Sequence, residues 1–390
     1  MIKLSEPHFF GKEINYLEKC INSKWISAKG KLVSNFETKI KNITNSPYTL
    51  GIINCSAALK LSIRLLEPNN KDEILAPTIT FVSTINAIVE NNCKPIFIDC
   101  DDKLLINLNK VMEFINKNTI FKNGFSINKK TGKKIIGLVV VHTFGNLVNL
   151  DKNFIKFCKY KNIKIIEDAA ESLGSYWKNY NNKKKIQSGT IGDVGCLSFN
   201  GNKIITTGGG GMILLKSKKL YNQSKHLIFQ AYKDPINFIH DDVGYNFGLS
   251  NLHAAVGLSQ IKNLNKIIEK KLKTHQIYVK YINKIKGLKI IENPDYCFSN
   301  NWLNILEVDE KLYGISKKKI IEKFKKLKIE TRSLWYPNHL QNKFKIYETF
   351  NIKNAQLKFK KCLCLPSSYS LSKRDQLKII SLLEKKFKHF

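Results

Sequence analysis

Between about residues 48 and 215, short apolar runs rich in β-branched residues alternate with stretches of helical periodicity. This alternation is typical of βαβ units, which build a parallel sheet with helices on its faces. The polar, glycine-containing stretch 121–134 interrupts the pattern and predicts an inserted loop or hairpin. The runs that predict strands are 49–53, 73–76, 95–98, 135–141, 163–166, 194–199 and 211–215, and helical spacing is clearest at 57–66 and 84–91.

After about residue 252 the pattern changes. Apolar positions with helical spacing run from 253 to 285 and predict one long helix. The later elements are a strand-like run at 302–308 and helical patterns at 317–327 and 373–387. We therefore expect a large domain at 1–255, with a mostly parallel sheet, and a smaller C-terminal α/β domain at 256–390.

The composition, 43% hydrophobic and 25% charged, is that of an ordinary globular protein and argues against disorder. No apolar run approaches the roughly 18 residues that a membrane span needs, and the N-terminal residues do not resemble a signal peptide. The nine cysteines are scattered and include no CxxC pair, so neither a metal site nor a disulfide framework is expected. These features predict a cytoplasmic protein without a membrane partner.

The net charge of +34 is the extreme value in this composition. A strongly basic field attracts polyanions, which makes a nucleic-acid partner one interpretation. The lysines are spread through the whole chain, however, and form only short clusters such as Lys317 to Lys319. We therefore favour a solvated lysine-rich surface without a nucleic-acid partner; a field that steers an anionic metabolite is a second possibility.

Two polar residues follow predicted strands, at the sheet edge where parallel α/β proteins bind ligands. Asp168 comes directly after the run 163–166, where it is either a helix cap or the partner of the ring nitrogen of a pyridine cofactor. Lys203 lies with Ser198 in the turn between two apolar strands. It is either a solvated loop residue or an amine that forms a Schiff base.

A third segment, NCSAALKLSI, passes from a strand into a helix. Ser56 and the amides of Ala57 and Ala58 are expected at the helix N-terminus, which is a natural phosphate site. Simple capping of the helix by Ser56 is the alternative. The later run TTGGGG lacks Cβ atoms over four residues, so its backbone can approach a ligand closely.

Together these segments resemble the DegT/DnrJ/StrS-type sugar aminotransferases. The resemblance covers nearly the whole chain in order, through WISAKGKLVSNFE, the NCSAAL turn, PTITFVSTINAI, KPIFIDCD, VVHTFGN, EDAAES, GDVGCLSFNGNK, TTGGGG, GYNFGLSNLHAAVGLSQ and LPSS. It implies the type I fold of the pyridoxal 5'-phosphate (PLP)-dependent transferases, which is that of aspartate aminotransferase. The lysine motif SFNGNKIITTGGGGMI and the inserted loop FKNGFSINKKTGKK look most like those of the family branch associated with the bacillosamine and legionaminic acid pathways.

The resemblance also implies roles for individual residues. Lys203 would carry PLP as a Schiff base, Asp168 would pair with the ring nitrogen, and Phe81 would stack on the ring. His339 would lie on the substrate side, and Asn246 would reach the phosphate from the second subunit of a homodimer with shared active sites. The remaining implied cofactor contacts are Ser56, Ala57, Glu171 and Ser198.

Two positions depart from the family pattern. Cys55-Ser56 replaces the usual Gly-Thr of the phosphate turn, which keeps a hydroxyl but loses a glycine. Gly248 stands where relatives place an Arg or Lys, so a cation expected near the phosphates is missing.

The implied activity is amino transfer from an amino acid, expected to be L-glutamate, to the 4-keto group of a nucleotide-linked 4-keto-6-deoxy sugar. The sugar is expected to carry a 2-acetamido group and either UDP or GDP, for synthesis of a surface glycan or a nonulosonic acid. A PLP-dependent sugar dehydratase of the same fold is the nearest alternative, but such relatives replace the lysine by histidine, whereas Lys203 is present. A non-enzymatic regulatory or DNA-binding protein is the alternative from another class.

Overall fold

The computed structural model describes residues 1–180 and 183–387. Its helices in this part of the chain are Glu13–Asn22 (α1), Lys31–Thr44 (α2), Cys55–Arg64 (α3), Val82–Glu90 (α4), Leu108–Asn118 (α5), Lys152–Tyr160 (α6), Lys218–Ile228 (α7), Asn251–Gln260 (α8), Leu264–Ile282 (α9), Glu310–Tyr313 (α10), Lys317–Lys326 (α11), Asn354–Lys361 (α12) and Lys373–Glu384 (α13).

The strands are Tyr48–Ile52 (β1), Glu73–Pro77 (β2), Lys94–Ile98 (β3), Thr119–Lys122 (β4), Phe125–Asn128 (β5), Lys134–Val141 (β6), Lys164–Asp168 (β7), Tyr176–Tyr180 (β8), Lys183–Gln187 (β9), Val194–Ser198 (β10), Gly211–Leu215 (β11), Tyr232–Asp234 (β12), Ile239–His240 (β13), Leu288–Ile290 (β14), Cys297–Phe298 (β15), Asn304–Val308 (β16), Arg332–Ser333 (β17), Thr349–Phe350 (β18) and Cys362–Leu365 (β19).

A ten-stranded sheet forms the centre of the fold, with its main path in the order β1-β11-β10-β7-β6-β2-β3-β18. From β10 to β18 every neighbouring pair is parallel, whereas β11 runs antiparallel to both β1 and β10. The seven strands predicted from apolar runs all lie in this sheet. Because a parallel sheet is covered on both faces, its strands are continuous apolar runs, which is why the sequence pattern located them.

Strand β6 shows how the two faces are covered. Val139 packs into one apolar cluster with residues of α3 and β11, while Leu138 and Val140 pack into a second cluster on the opposite face. All three side chains are fully buried. Burial of each such side chain stabilises the fold by roughly 1.5–3 kcal/mol relative to an exposed one.

The stretch 121–134 forms the hairpin of β4 and β5, and β5 continues into antiparallel pairing with β6. Asn123 and Gly124 form its turn with φ angles of 53° and 77°. Positive φ at both central residues is what a two-residue hairpin turn requires, and Asn-Gly is the preferred pair. Of the two forms that the sequence predicts for this stretch, a loop or a hairpin, the structure shows the hairpin.

The predicted single helix at 253–285 is wrong in one respect. The chain forms α8 and α9 with a 3-10 turn, Ile261–Asn263, between them. The apolar spacing continues through the turn because Ile261 and Leu264 are both buried in the cluster that contains Phe36. A periodicity argument therefore cannot detect the break.

The C-terminal part has an apolar core of its own, which includes Tyr278, Leu306 and Phe324. The predicted boundary after residue 255 lies inside α8, and α8 packs into the apolar cluster that contains Phe36. The division into 1–255 and 256–390 stays a prediction.

All nine cysteines are free and buried. Burial raises the pKa of several of these thiols, to about 12 for Cys93 and Cys158. Among the described residues, no helix is long and apolar enough to cross a membrane.

Candidate active site

A cavity of about 270 Å³ opens where β7 and β10 end and where α3 and α4 begin. Its wall is completed by residues from the C-terminal part of the chain, among them Trp302 and Trp335. Six of the residues singled out from the sequence line it: Ser56, Phe81, Asp168, Glu171, Ser198 and Lys203. The structure thus brings together segments that are up to 147 positions apart, counted from Ser56 to Lys203.

Asp168 is the last residue of β7, and its side chain is almost fully buried. Thr84 donates its hydroxyl to Oδ2 at 2.8 Å, and the amide of Ala170 donates to Oδ1 at 3.2 Å. Burial raises the pKa of this carboxyl, although the hydrogen bond from Thr84 opposes the rise. No α-helix begins directly after β7, so Asp168 is not a helix cap.

Lys203 lies in the turn between β10 and β11 with its amine in the cavity. Nζ lies 3.3 Å from Glu171 Oε1 and 4.2 Å from the centre of the Trp302 ring. Only 13% of its side chain is exposed, so it is not a solvated loop lysine. Burial raises the pKa of the Glu171 carboxyl, and the charge of Lys203 opposes this shift.

Three aromatic rings stack beside the cavity, and two of them, Trp302 and Trp335, line it. The Phe144 ring lies parallel to that of Trp335 at 4.6 Å and to that of Trp302 at 6.3 Å between centroids. Phe144 has a left-handed φ of 58°, and its amide donates to Glu171 Oε2 at 2.8 Å. The next residue, Gly145, has φ of 97° and touches Asn300 so closely that a Cβ would overlap it. The turn thus holds both the aromatic stack and the carboxylate that pairs with Lys203.

At the N-terminus of α3, Asn54 and not Ser56 is the capping residue. The side-chain Oδ1 of Asn54 accepts a hydrogen bond from the amide of Ala57 at 2.8 Å, and the main-chain carbonyl of Asn54 accepts one from the amide of Ala58 at 3.1 Å. Both amides are therefore already engaged, and Ala57 is buried and does not line the cavity. The groups left to face an anion are the exposed Ser56 and the hydroxyl of Ser198, and Gly209 and Gly210 line the same cavity.

Two other predicted residues lie outside this cavity. Asn246 is exposed, and its segment forms a bridge with Phe229. His339 is buried, with Nδ1 2.7 Å from Thr78 Oγ1 and Nε2 3.1 Å from Gln356 Nε2. Both ring nitrogens of His339 have protein partners, so this geometry gives no support to a substrate contact.

The close packing around Gly248 explains why this position does not carry the Arg or Lys side chain of its relatives. A Cβ at this position would overlap the ring of Phe229 and the side chain of Ala28. The amine of Lys29 lies 4.5 Å from the centre of the same Phe229 ring. A cation is therefore present beside Gly248, although it comes from another part of the chain.

Sequence reasoning missed three residues of the site: Thr84, Trp302 and Arg332. Arg332 in β17 lines the cavity and is one of only three arginines, beside Arg64 and Arg374, among 65 basic residues. In a chain that uses lysine almost everywhere, an arginine is the signal that could have identified it. A guanidinium can bind a carboxylate or a phosphate with two parallel hydrogen bonds, a bidentate geometry that the amine of a lysine cannot form.

The residues present fit PLP. Asp168 is a buried carboxylate, and it takes part in no ion pair within the described residues, because Lys203 pairs with Glu171 instead. A protonated ring nitrogen would satisfy that carboxylate. Lys203 supplies an amine in the same cavity, Phe81 an exposed ring, and Ser56 and Ser198 hydroxyls for a phosphate.

Comparison with known proteins agrees with this geometry. The model of the DegT/DnrJ/EryC1/StrS aminotransferase family matches residues 9–384. The chain belongs to this family. Among the relatives of this DegT-family protein is the putative pyridoxal phosphate-dependent aminotransferase EpsN of Bacillus subtilis (strain 168), 31% identical over 98% of the chain and 95% of EpsN.

A GDP-perosamine synthase of Escherichia coli O157:H7 is also 31% identical, over 87% of the chain and 85% of that protein. Among solved structures, the aminotransferase PseC of Helicobacter pylori superposes over all of both chains with a TM-score of 0.87 at 22% identity. The fold prediction is therefore confirmed, and the DegT-family protein is a PLP-dependent aminotransferase. Its place in the bacillosamine and legionaminic acid branch stays a prediction.

Proposed function

We propose that this aminotransferase moves an amino group from L-glutamate to the 4-keto group of a nucleotide-linked 4-keto-6-deoxy sugar. The observation that carries the proposal is the cavity that Lys203 shares with the buried carboxylate of Asp168, which has no ion-pair partner in the part of the chain that the structure describes. The names of the relatives support a sugar acceptor. They include GDP-perosamine synthases and, at 25% identity, a UDP-4-amino-4-deoxy-L-arabinose–oxoglutarate aminotransferase.

The residues of the cavity would divide the work as follows. PLP, when bound, takes up the amino group and withdraws electrons from the reacting carbon. Asp168 would hold a proton on the ring nitrogen, because a nearby carboxylate favours the charged form of a base. Lys203 would move protons to and from the reacting carbon as a general base and acid. Glu171 would keep the Lys203 amine on the cavity side through their 3.3 Å contact.

The anionic groups of the substrates need a cation inside the cavity. Arg332 is suited to a carboxylate or phosphate, and no other arginine lines this cavity among the residues that the structure describes. The net charge of +34 would raise the local concentration of such anions. A 2-acetamido substituent and either UDP or GDP are part of the proposal, as is a role in synthesis of a surface glycan or a nonulosonic acid.

We also propose a homodimer in which Asn246 completes the phosphate site of the partner. Large apolar side chains are exposed just before it, with Ile236 84%, Phe238 71% and Val243 74% accessible. Three apolar side chains exposed this close together in one segment support a contact of that segment with a second chain. A cytoplasmic location stays a prediction.

The test is to incubate the purified protein with PLP, ¹⁵N-labelled glutamate and a panel of UDP- and GDP-linked 4-keto-6-deoxy sugars, with and without a 2-acetamido group. Mass spectrometry should find a ¹⁵N-amino sugar and an equal amount of 2-oxoglutarate, and the variant Lys203→Ala should form neither. A product that has lost water and gained no nitrogen would favour the dehydratase. No product from any sugar, together with salt-dependent retention on DNA, would favour the regulatory alternative.

A further inference from the structure

A second lysine, Lys271 in α9, is buried behind the candidate site, with 4% of its surface exposed. Nζ donates to the carbonyl oxygen of Trp302 at 3.0 Å and to that of Ser367 at 2.6 Å. No carboxylate lies within ion-pair distance of it in residues 1–180 and 183–387. A lysine that is buried without a counter-charge is rare and requires an explanation.

The two carbonyl groups match a neutral amine. A neutral lysine has two N–H donors, whereas the charged form has a third that would lack a partner here. Burial lowers the pKa of Lys271 to about 7. The titratable groups nearby are His275, one turn further along α9, and Glu6, His8 and Tyr369, which line a small cavity together with Lys271 and Lys203.

Trp302 connects this lysine with the candidate site. Its indole ring lies 4.2 Å from Nζ of Lys203, and its Nε1 donates to the carbonyl of Asn202 at 2.6 Å. Its amide donates to Asn300 Oδ1 at 2.9 Å. The indole is thus fixed beside Lys203 at one end, and Lys271 fixes the backbone of the same residue at the other.

We propose that Lys271 is a positioning residue for the reaction at Lys203: its hydrogen bond to the Trp302 carbonyl ties that residue, through the amine, to the carbonyl of Ser367, so that the indole keeps the Lys203 amine in its working orientation. The proposal rests on the role of Lys203 in the proposed function. It does not require Lys271 to touch the substrate or the cofactor.

The main variant is Lys271→Met, which keeps the length of the side chain and removes both donors. Lys273→Met, on the exposed side of the same helix, is the matched control. Two readouts are compared at equal cofactor loading: the pH midpoint of the absorption band of the bound cofactor, and the rate of the glutamate half-reaction in single turnover. For Lys271→Met we expect the midpoint to shift by about half a unit or more and the maximal rate to fall about tenfold, with the glutamate KM within about twofold of wild type.

A double-mutant cycle tests whether the effect passes through Trp302. The change Trp302→Phe removes the indole N–H, and Lys271→Met added to it should cost little more than Trp302→Phe alone, because residues that act through one contact are not additive. If Lys271→Met does not fold, Lys271→Leu, which also removes both donors and leaves an apolar side chain, takes its place in the cycle.

The proposal is overturned if a folded Lys271 variant keeps the wild-type midpoint and rate, or if the two substitutions add. A failure of the role of Lys203 is distinguishable, since the wild-type protein itself would then show no covalent link between PLP and Lys203, and a failure of the sugar acceptor alone would leave the glutamate half-reaction measurable.

Discussion

Replacing Lys271 by methionine should change the pH dependence of stability in a direction and size that can be calculated. Burial lowers the pKa of this lysine from 10.5 to about 7. Because each pKa unit corresponds to about 1.4 kcal/mol, carrying the lysine destabilises the fold by about 5 kcal/mol below pH 7. The variant also loses two hydrogen bonds, which leaves the carbonyls of Trp302 and Ser367 unpaired at about 1–3 kcal/mol each.

These two effects oppose each other, so the absolute stability of the variant is a poor test and its pH dependence is a good one. Between pH 7 and pH 10.5 the unfolded lysine still binds a proton that the folded one has released. The free energy of unfolding of the wild type therefore rises with pH relative to the variant. The difference between the two proteins should move in favour of the wild type by about 2.3 kcal/mol from pH 7 to pH 9.

Urea unfolding of both proteins, followed by circular dichroism at pH 6, 7, 8 and 9, measures this difference. Groups that titrate in both proteins, such as the buried cysteines, cancel in the comparison. The exposed Lys273→Met should differ from wild type by an amount that does not change with pH. A difference between Lys271→Met and wild type that is equally constant would refute the reasoning.

The remaining predictions concern the candidate site. Borohydride reduction of the PLP-loaded protein should fix the cofactor to the peptide that contains Lys203; peptide mass spectrometry that finds it only on another lysine would contradict this. Asp168→Asn should bind PLP nearly normally but slow both half-reactions about 100-fold or more, since the amide carries no charge to hold the ring protonated; a near-normal single-turnover rate would exclude that role. Thr84→Val should raise the pKa of Asp168 further, because it removes a hydrogen bond that favours the ionised form, and should move the acid limb of the rate profile to higher pH. Asn246→Ala should weaken PLP retention with unchanged circular dichroism, and a fully active monomer at assay concentration would disprove a shared site.

The sequence was most informative about the central sheet and the ligand edge. Buried parallel strands are continuous apolar runs, so β2, β6 and β10 could be located to within about one residue. The positions of Asp168 and Lys203 after two such runs then followed from the rule that ligands bind where parallel strands end. These predictions depend on short stretches of chain and on one topological rule.

The errors have a different origin. Asn54 and Ser56 are both residue types that cap helices. The pattern alone could therefore not decide which side chain accepts the hydrogen bond from the amide of Ala57. Trp302 and Arg332 reach the cavity from segments about 100 residues or more beyond Lys203, and no local periodicity predicts that approach. His339 is an error of the opposite kind. Its segment resembles one that lines the substrate side in the family, but in the structure Thr78 and Gln356 engage both of its ring nitrogens.

The burial of all nine cysteines gives the molecule an internal set of chemical probes. Cys55, Cys93 and Cys196 lie in one apolar cluster, and Cys158 and Cys297 lie in another. Cys362 and Cys364 report on the cluster around Trp302. Apart from Cys55, which lines the candidate-site cavity, these thiols are kept protonated and inaccessible by burial, so a thiol reagent can modify each group only when that part of the protein opens. Native-state labelling, resolved by peptide, would therefore rank the opening free energies of separate regions without any engineered residue.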